Sequence, residues 1–135
     1  MGDAAMERHI CINETTYCVR MAGGDGPPLL LLHGFTGSGE TWVPFFPVLS
    51  RTVRVAAVDL PGHGQTVCAD DPDLFRMERV CEELLALLDR LGIGSFHLLG
   101  YSMGGRVALH LALAAPARVR TLILESASPG IADEG

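Results

Sequence analysis

The apolar positions of the chain change their spacing several times, and each change marks a new element. Residues from Arg8 to Arg20 read as two short strands around a polar turn at Asn13-Glu14, followed by a Gly/Pro loop from Met21 to Pro28. Leu29 to Leu32 is wholly apolar and bounded by turn residues, as in a strand buried on both faces. Glu40 to Leu49 predicts a helix kept short or broken by Pro44 and Pro47. Val53 to Val58 is a second β-branched run and ends at Asp59.

From Leu74 to Leu91 the period becomes helical. Met77, Val80, Cys81, Leu84, Leu85, Leu87, Leu88 and Leu91 form one apolar stripe, and Glu78, Arg79, Glu82, Glu83, Asp89 and Arg90 fill the other face. Asp71 or Asp73 is placed to cap its start, and Gly92 follows its end. Phe96 to Leu99 predicts a third buried strand, Met103 to Ala115 a second helix, and Val119 to Leu124 a further strand. Short apolar strands alternating with helices predict an α/β fold, a mostly parallel sheet with helices on both faces. There is no internal repeat and no low-complexity linker, so residues 1–135 are expected to belong to one domain.

Charge and cysteine usage narrow the function classes. Ten basic residues against sixteen acidic give a net charge of −6, with no Lys/Arg run, which excludes the electrostatic footprint of a nucleic-acid binder or of an anionic membrane surface. The longest aliphatic run, Leu29 to Leu32, is far short of the roughly 20 residues of a membrane span. Cys11, Cys18, Cys68 and Cys81 have no C-x-x-C spacing and no nearby histidine in a local zinc pattern. Reduced thiols in a cytoplasmic protein are expected, with no metal and no cofactor.

The densest chemical signal is Gly100-Tyr101-Ser102-Met103-Gly104, a G-x-S-x-G motif that ends a buried strand and opens a helix. In that context Ser102 is the candidate nucleophile, held on a strained turn, with Gly100 and Gly104 beside it because a Cβ would collide with backbone. The N–H of Met103 is a candidate donor to a developing oxyanion. His33-Gly34-Phe35 closes the Leu strand and enters the loop Thr36-Gly37-Ser38-Gly39, where the Phe35 N–H is the candidate second donor. This loop lacks the lysine of a phosphate loop and the spacing of a dinucleotide fingerprint. Asp59-Leu60-Pro61-Gly62-His63-Gly64, after the next strand, reads as a tight supporting loop rather than an acid–base pair.

In this order and spacing the three motifs resemble the α/β-hydrolase superfamily, from about Tyr17 to Gly130, the part of that fold running through its sixth strand. His33 to Ser38, Gly100 to Arg106 and Leu124-Glu125-Ser126-Ala127-Ser128-Pro129-Gly130 are similar to one branch, the 2-succinyl-6-hydroxy-2,4-cyclohexadiene-1-carboxylate synthases of menaquinone biosynthesis. That resemblance implies a lyase whose serine serves in a proton abstraction expelling pyruvate from a small-molecule polycarboxylate. It also implies a triad acid and histidine after the sixth strand, beyond Gly135, since His110 alone follows Ser102 and sits within a helix. Ester hydrolysis on the same fold, or a non-catalytic binding module that keeps the elbow, are the other readings the motifs allow.

Arg106 bears on that choice. It falls in the first turn of the helix after Ser102, where the helix dipole disfavours a cation by about 0.3–1 kcal/mol unless an anion docks beside it. The resemblance implies a carboxylate-binding arginine at this position; a surface arginine paired with a nearby acid is the alternative. Tyr101 and His33, beside the nucleophile and in the oxyanion loop, complete the candidate substrate-binding set. His97 reads as a core residue, His110 as packing or solvent-facing, and Trp42, Phe45 and Phe46 as core or pocket wall rather than a cofactor platform. Val119 to Leu124 is expected to be an edge strand open to self-association.

Overall fold

The computed structural model of the chain describes residues 5–127. Strands β1 (Met6–Ile12) and β2 (Thr15–Ala22) form an antiparallel hairpin around Asn13, which takes a left-handed φ of 56°. Then come β3 (Pro28–Leu32), a 3-10 turn at Gly39–Phe45, the short helix α1 (Phe46–Leu49) and β4 (Arg54–Val58). A two-residue strand, β5 (Val67–Cys68), precedes a 3-10 turn at Pro72–Phe75 and helix α2 (Met77–Arg90). Strand β6 (Phe96–Tyr101), helix α3 (Met103–Ala114) and strand β7 (Val119–Glu125) complete the described elements.

The sheet order is β1-β2-β4-β3-β6-β7, with β5 attached to β2. Strands β4, β3, β6 and β7 run parallel, and β1 and β2 are antiparallel. Alternation along the strands sends Leu30, Leu32, Ala56, Val58 and Leu98 to the face covered by α2 and α3. Leu29, Leu31, Val55 and Ala57 face the segment carrying Trp42 and Phe46. The mostly parallel sheet with helices on both faces is as expected, and the brevity of α1 follows from Pro44 and Pro47.

Three details differ from the sequence expectation. First, α2 begins at Met77 and not at Leu74, because Arg76 is extended (φ −66°, ψ 140°); the Asp71 carboxylate caps the preceding 3-10 turn, accepting from Asp73 N at 3.0 Å. Second, Glu83 does not lie on the solvent face: it is 1% exposed and accepts from the Tyr17 hydroxyl at 2.8 Å and from Arg79 Nε at 3.0 Å. Burial and the Glu83 carboxylate both push the Tyr17 phenol up, so the pair holds α2 to β2 as a neutral donor on a charged acceptor. Third, His97 is half-buried rather than enclosed in the core.

Candidate active site

Ser102 stands between β6 and α3 with φ 53° and ψ −114°, a backbone conformation that costs a non-glycine residue about 1–3 kcal/mol. The surrounding structure enforces it. The Ser102 N–H donates to Glu125 O at 2.9 Å, and the Ser102 carbonyl accepts from Gly105 N at 2.9 Å and from Arg106 N at 3.2 Å. A Cβ on Gly100 would meet the backbone of Gly104 and Gly105, and one on Gly104 would meet the carbonyl oxygens of Leu32 and His33. Only glycines allow α3 to approach β3 and β6 this closely, and that approach turns the serine out at the carboxyl end of the sheet. The first N–H groups of α3, that of Met103 among them, have no carbonyl one turn earlier to bond.

The loop after β3 packs directly on this turn. A Cβ on Gly34 would lie 2.9 Å from the Tyr101 ring and 3.4 Å from Ser102 Cβ, so the backbone entering Phe35 passes alongside the serine. His33, proposed from sequence as substrate-binding, holds this loop instead. It is fully buried, its Nε2 accepts from Leu60 N at 3.0 Å, and its Nδ1 sits 2.7 Å from Gly34 O. Those partners assign the proton to Nδ1 and leave neither nitrogen for a ligand. Desolvation holds the imidazole below its ordinary pKa, so it stays neutral.

That shift has a sign for stability. The unfolded chain protonates this histidine first, so the contribution is full above about pH 6.5 and is lost as pH falls through the depressed folded value. The unfolding free energy from urea denaturation is expected to drop between about pH 7 and about pH 5 by up to about 1.4 kcal/mol per pH unit more than in His33→Asn.

Asp59 anchors the opposite side of the loop. Its fully buried carboxylate accepts from Arg20 Nη1 at 2.7 Å, Gly39 N at 2.6 Å and Gln65 N at 2.8 Å, tying β2, the end of the loop after β3 and the loop after β4 together. His63 turns Nδ1 to Pro61 O at 3.0 Å, so the Asp59–His63 motif is a scaffold, not an acid–base pair.

Beside Met103 and Phe35 lies a cleft of about 480 Å³ walled by Leu60, Phe75, Val107 and His63. It is apolar except for His63, whose ring meets Phe35 edge-on at 5.7 Å. Phe35 is 72% exposed at its mouth. Tyr101 and Arg106 are exposed outside this cleft, Tyr101 against Gly34 and Arg106 in the first turn of α3. Arg20, Arg76, Arg79 and Arg118 each meet a carboxylate, whereas Arg106, like Arg8, Arg51, Arg54, Arg90 and Arg120, has none within 4.0 Å among the described residues. The stretch Ser128-Pro129-Gly130 lies outside the described residues, while Ala127 packs where a Cβ on Gly105 would be. No described helix is long and apolar enough to cross a membrane.

A strained strand–serine–helix turn flanked by glycines, with a second backbone loop on its shoulder, makes Ser102 the candidate centre of this site. The chain belongs to the α/β-hydrolase fold family, whose model matches residues 27–134. Over 118 residues it is 44% identical to the dihydrolipoyllysine-residue acetyltransferase component of the acetoin cleaving system of Pseudomonas putida, covering 85% of this chain and 31% of that protein. It is 41% identical to the pimeloyl-[acyl-carrier protein] methyl ester esterase of Aeromonas hydrophila, over 78% of this chain and 40% of the esterase. A Bacillus subtilis protein provisionally named 2-succinyl-6-hydroxy-2,4-cyclohexadiene-1-carboxylate synthase is 36% identical over 84% of this chain and 43% of its own length. Among solved structures, a hydrolase from Pseudomonas aeruginosa superposes with a TM-score of 0.87 at 30% identity, over 94% of this chain and 48% of that one. The chain therefore spans less than half the length of each of these relatives.

Proposed function

We propose that this chain carries the serine and anion-binding half of a carbon–oxygen lyase that eliminates pyruvate from a succinyl-cyclohexene polycarboxylate, a reading supported by the Bacillus subtilis relative named as a 2-succinyl-6-hydroxy-2,4-cyclohexadiene-1-carboxylate synthase. The observation that carries this reading is Arg106. A guanidinium in the first turn of α3, four residues after Ser102 and with no acid partner among the described residues, makes electrostatic sense beside a bound carboxylate. Ser102 takes part in removing the proton, Met103 N–H and Phe35 N–H steady the negative charge that follows, and Tyr101 lies against Gly34 beside the serine. The general base and its orienting acid are assigned to the family's later segments, as the motif order implies. The test is pyruvate release from the polycarboxylate by the protein that carries this chain. Release that Ser102→Ala abolishes is expected; ester hydrolysis without pyruvate release overturns the lyase assignment.

The apolar cleft favours a second reading, a carboxylic ester hydrolase whose acyl chain lies against Phe75 and Val107. The Aeromonas hydrophila relative is named for such a reaction.

Strand β7 adds a proposal about assembly. Its Ile123 and Leu124 are 45% and 40% exposed on opposite faces, and its outer edge has no partner strand among the described residues. The 135 residues expressed alone are expected to self-associate through this edge, giving a mass above 14.4 kDa by light scattering that Ile123→Lys reduces.

A further inference from the structure

Outside the site already described, the hairpin at the other end of the sheet brings three kinds of metal-binding donor together. Antiparallel pairing sets His9 opposite Cys18 and Glu7 opposite Arg20, so these four side chains share one face. One donor atom each from Glu7, His9 and Cys18 lie within 4.8 Å of one another, and His9 Nε2 is 2.7 Å from Glu7 Oε2. A tetrahedral zinc ion with ligand bonds of about 2.0–2.3 Å needs donors separated by about 3.3–3.8 Å. Side-chain rotations of about 1 Å in the exposed Glu7 and His9 reach that geometry around the fixed Cys18.

The charge balance also suits a cation. The Arg20 guanidinium lies against Asp59 at 2.7 Å, Glu40 at 3.7 Å and Glu7 at 3.9 Å, so three carboxylates face one positive charge. The nearby exposure of His9 and Glu7, at 43% and 41% of their side chains, leaves a path for the ion.

We infer that Glu7, His9 and Cys18 bind one borderline-soft divalent cation of the zinc type, pinning edge strand β1 to β2. Water completes the coordination, and imidazole with thiolate selects zinc over the harder magnesium and calcium. No local spacing announces such a site, because the ligands come from alternate positions of one strand and the facing position of the next.

The test is titration of the 135-residue chain with Zn²⁺ by calorimetry and with Co²⁺ by absorbance. One equivalent of Co²⁺ is expected to give a thiolate charge-transfer band that Cys18→Ser removes and Cys11→Ser keeps. His9→Ala, on an exposed strand position, is expected to weaken Zn²⁺ binding by about tenfold or more, and it decides the matter even if Cys18→Ser does not fold. Absence of the band, a band that follows Cys11, or a His9→Ala affinity equal to that of the unaltered chain overturns the site.

Discussion

Gly104→Ala is expected to destabilise the fold by about 3 kcal/mol or more, although alanine gains about 1 kcal/mol over glycine in a helix interior. The added methyl points at the carbonyl oxygens of Leu32 and His33, which belong to the end of a central parallel strand and the start of the loop that follows it. Neither is the flexible end of a side chain, so relief requires α3 to move off the sheet. That movement releases Ser102 from its φ of 53° and separates Met103 from Phe35. The contrast is Gly94, whose Cβ would meet nothing within 4 Å; Gly94→Ala is expected to change stability by less than about 0.5 kcal/mol. Urea denaturation of both variants measures the difference, and equal stabilities would show that the elbow is not clamped by backbone contact.

Asp59→Ala is expected to cost about 3–5 kcal/mol, a large share of the stability of a domain this size. The loss leaves Arg20, with a side chain 6% exposed, without its closest carboxylate, and strips the acceptor from Gly39 N and Gln65 N. Glu7 and Glu40, at 3.9 and 3.7 Å, replace only part of that interaction. Removing both charges in Asp59→Ala/Arg20→Met is expected to recover part of the loss, since an uncompensated buried charge costs more than an absent pair. Denaturation of the single and double variants checks this; a double variant less stable than Asp59→Ala would contradict it.

The elements legible in the sequence are those set by local physics. Leu29 to Leu32 and Val55 to Val58 are apolar because both faces of their strands are covered, and the stripe on α2 repeats because one helix face meets the sheet. The elbow was legible because its glycines are dictated by backbone collisions within a few residues of Ser102. What the sequence hid depends on partners far along the chain. Glu83 reads as a surface charge until Tyr17, 66 residues earlier, is found against it. His33 reads as a pocket residue until Leu60 N occupies its Nε2. Asp59 was seen as structural, but its hold on Arg20 and Gly39 follows only from the pairing of β2 with β4. The start of α2 shifted because Pro72 and Asp71 favour a separate 3-10 turn that buries Leu74.

The central claim, that Ser102 and Arg106 act together on a carboxylate-bearing substrate, is tested most directly by comparing two substrates in the protein that carries this chain. Arg106→Ala should lower kcat/KM for the polycarboxylate by about a hundredfold, the loss of a charge-assisted bidentate contact, and lower that for a neutral ester by less than about threefold. Equal losses on the two substrates would contradict the account.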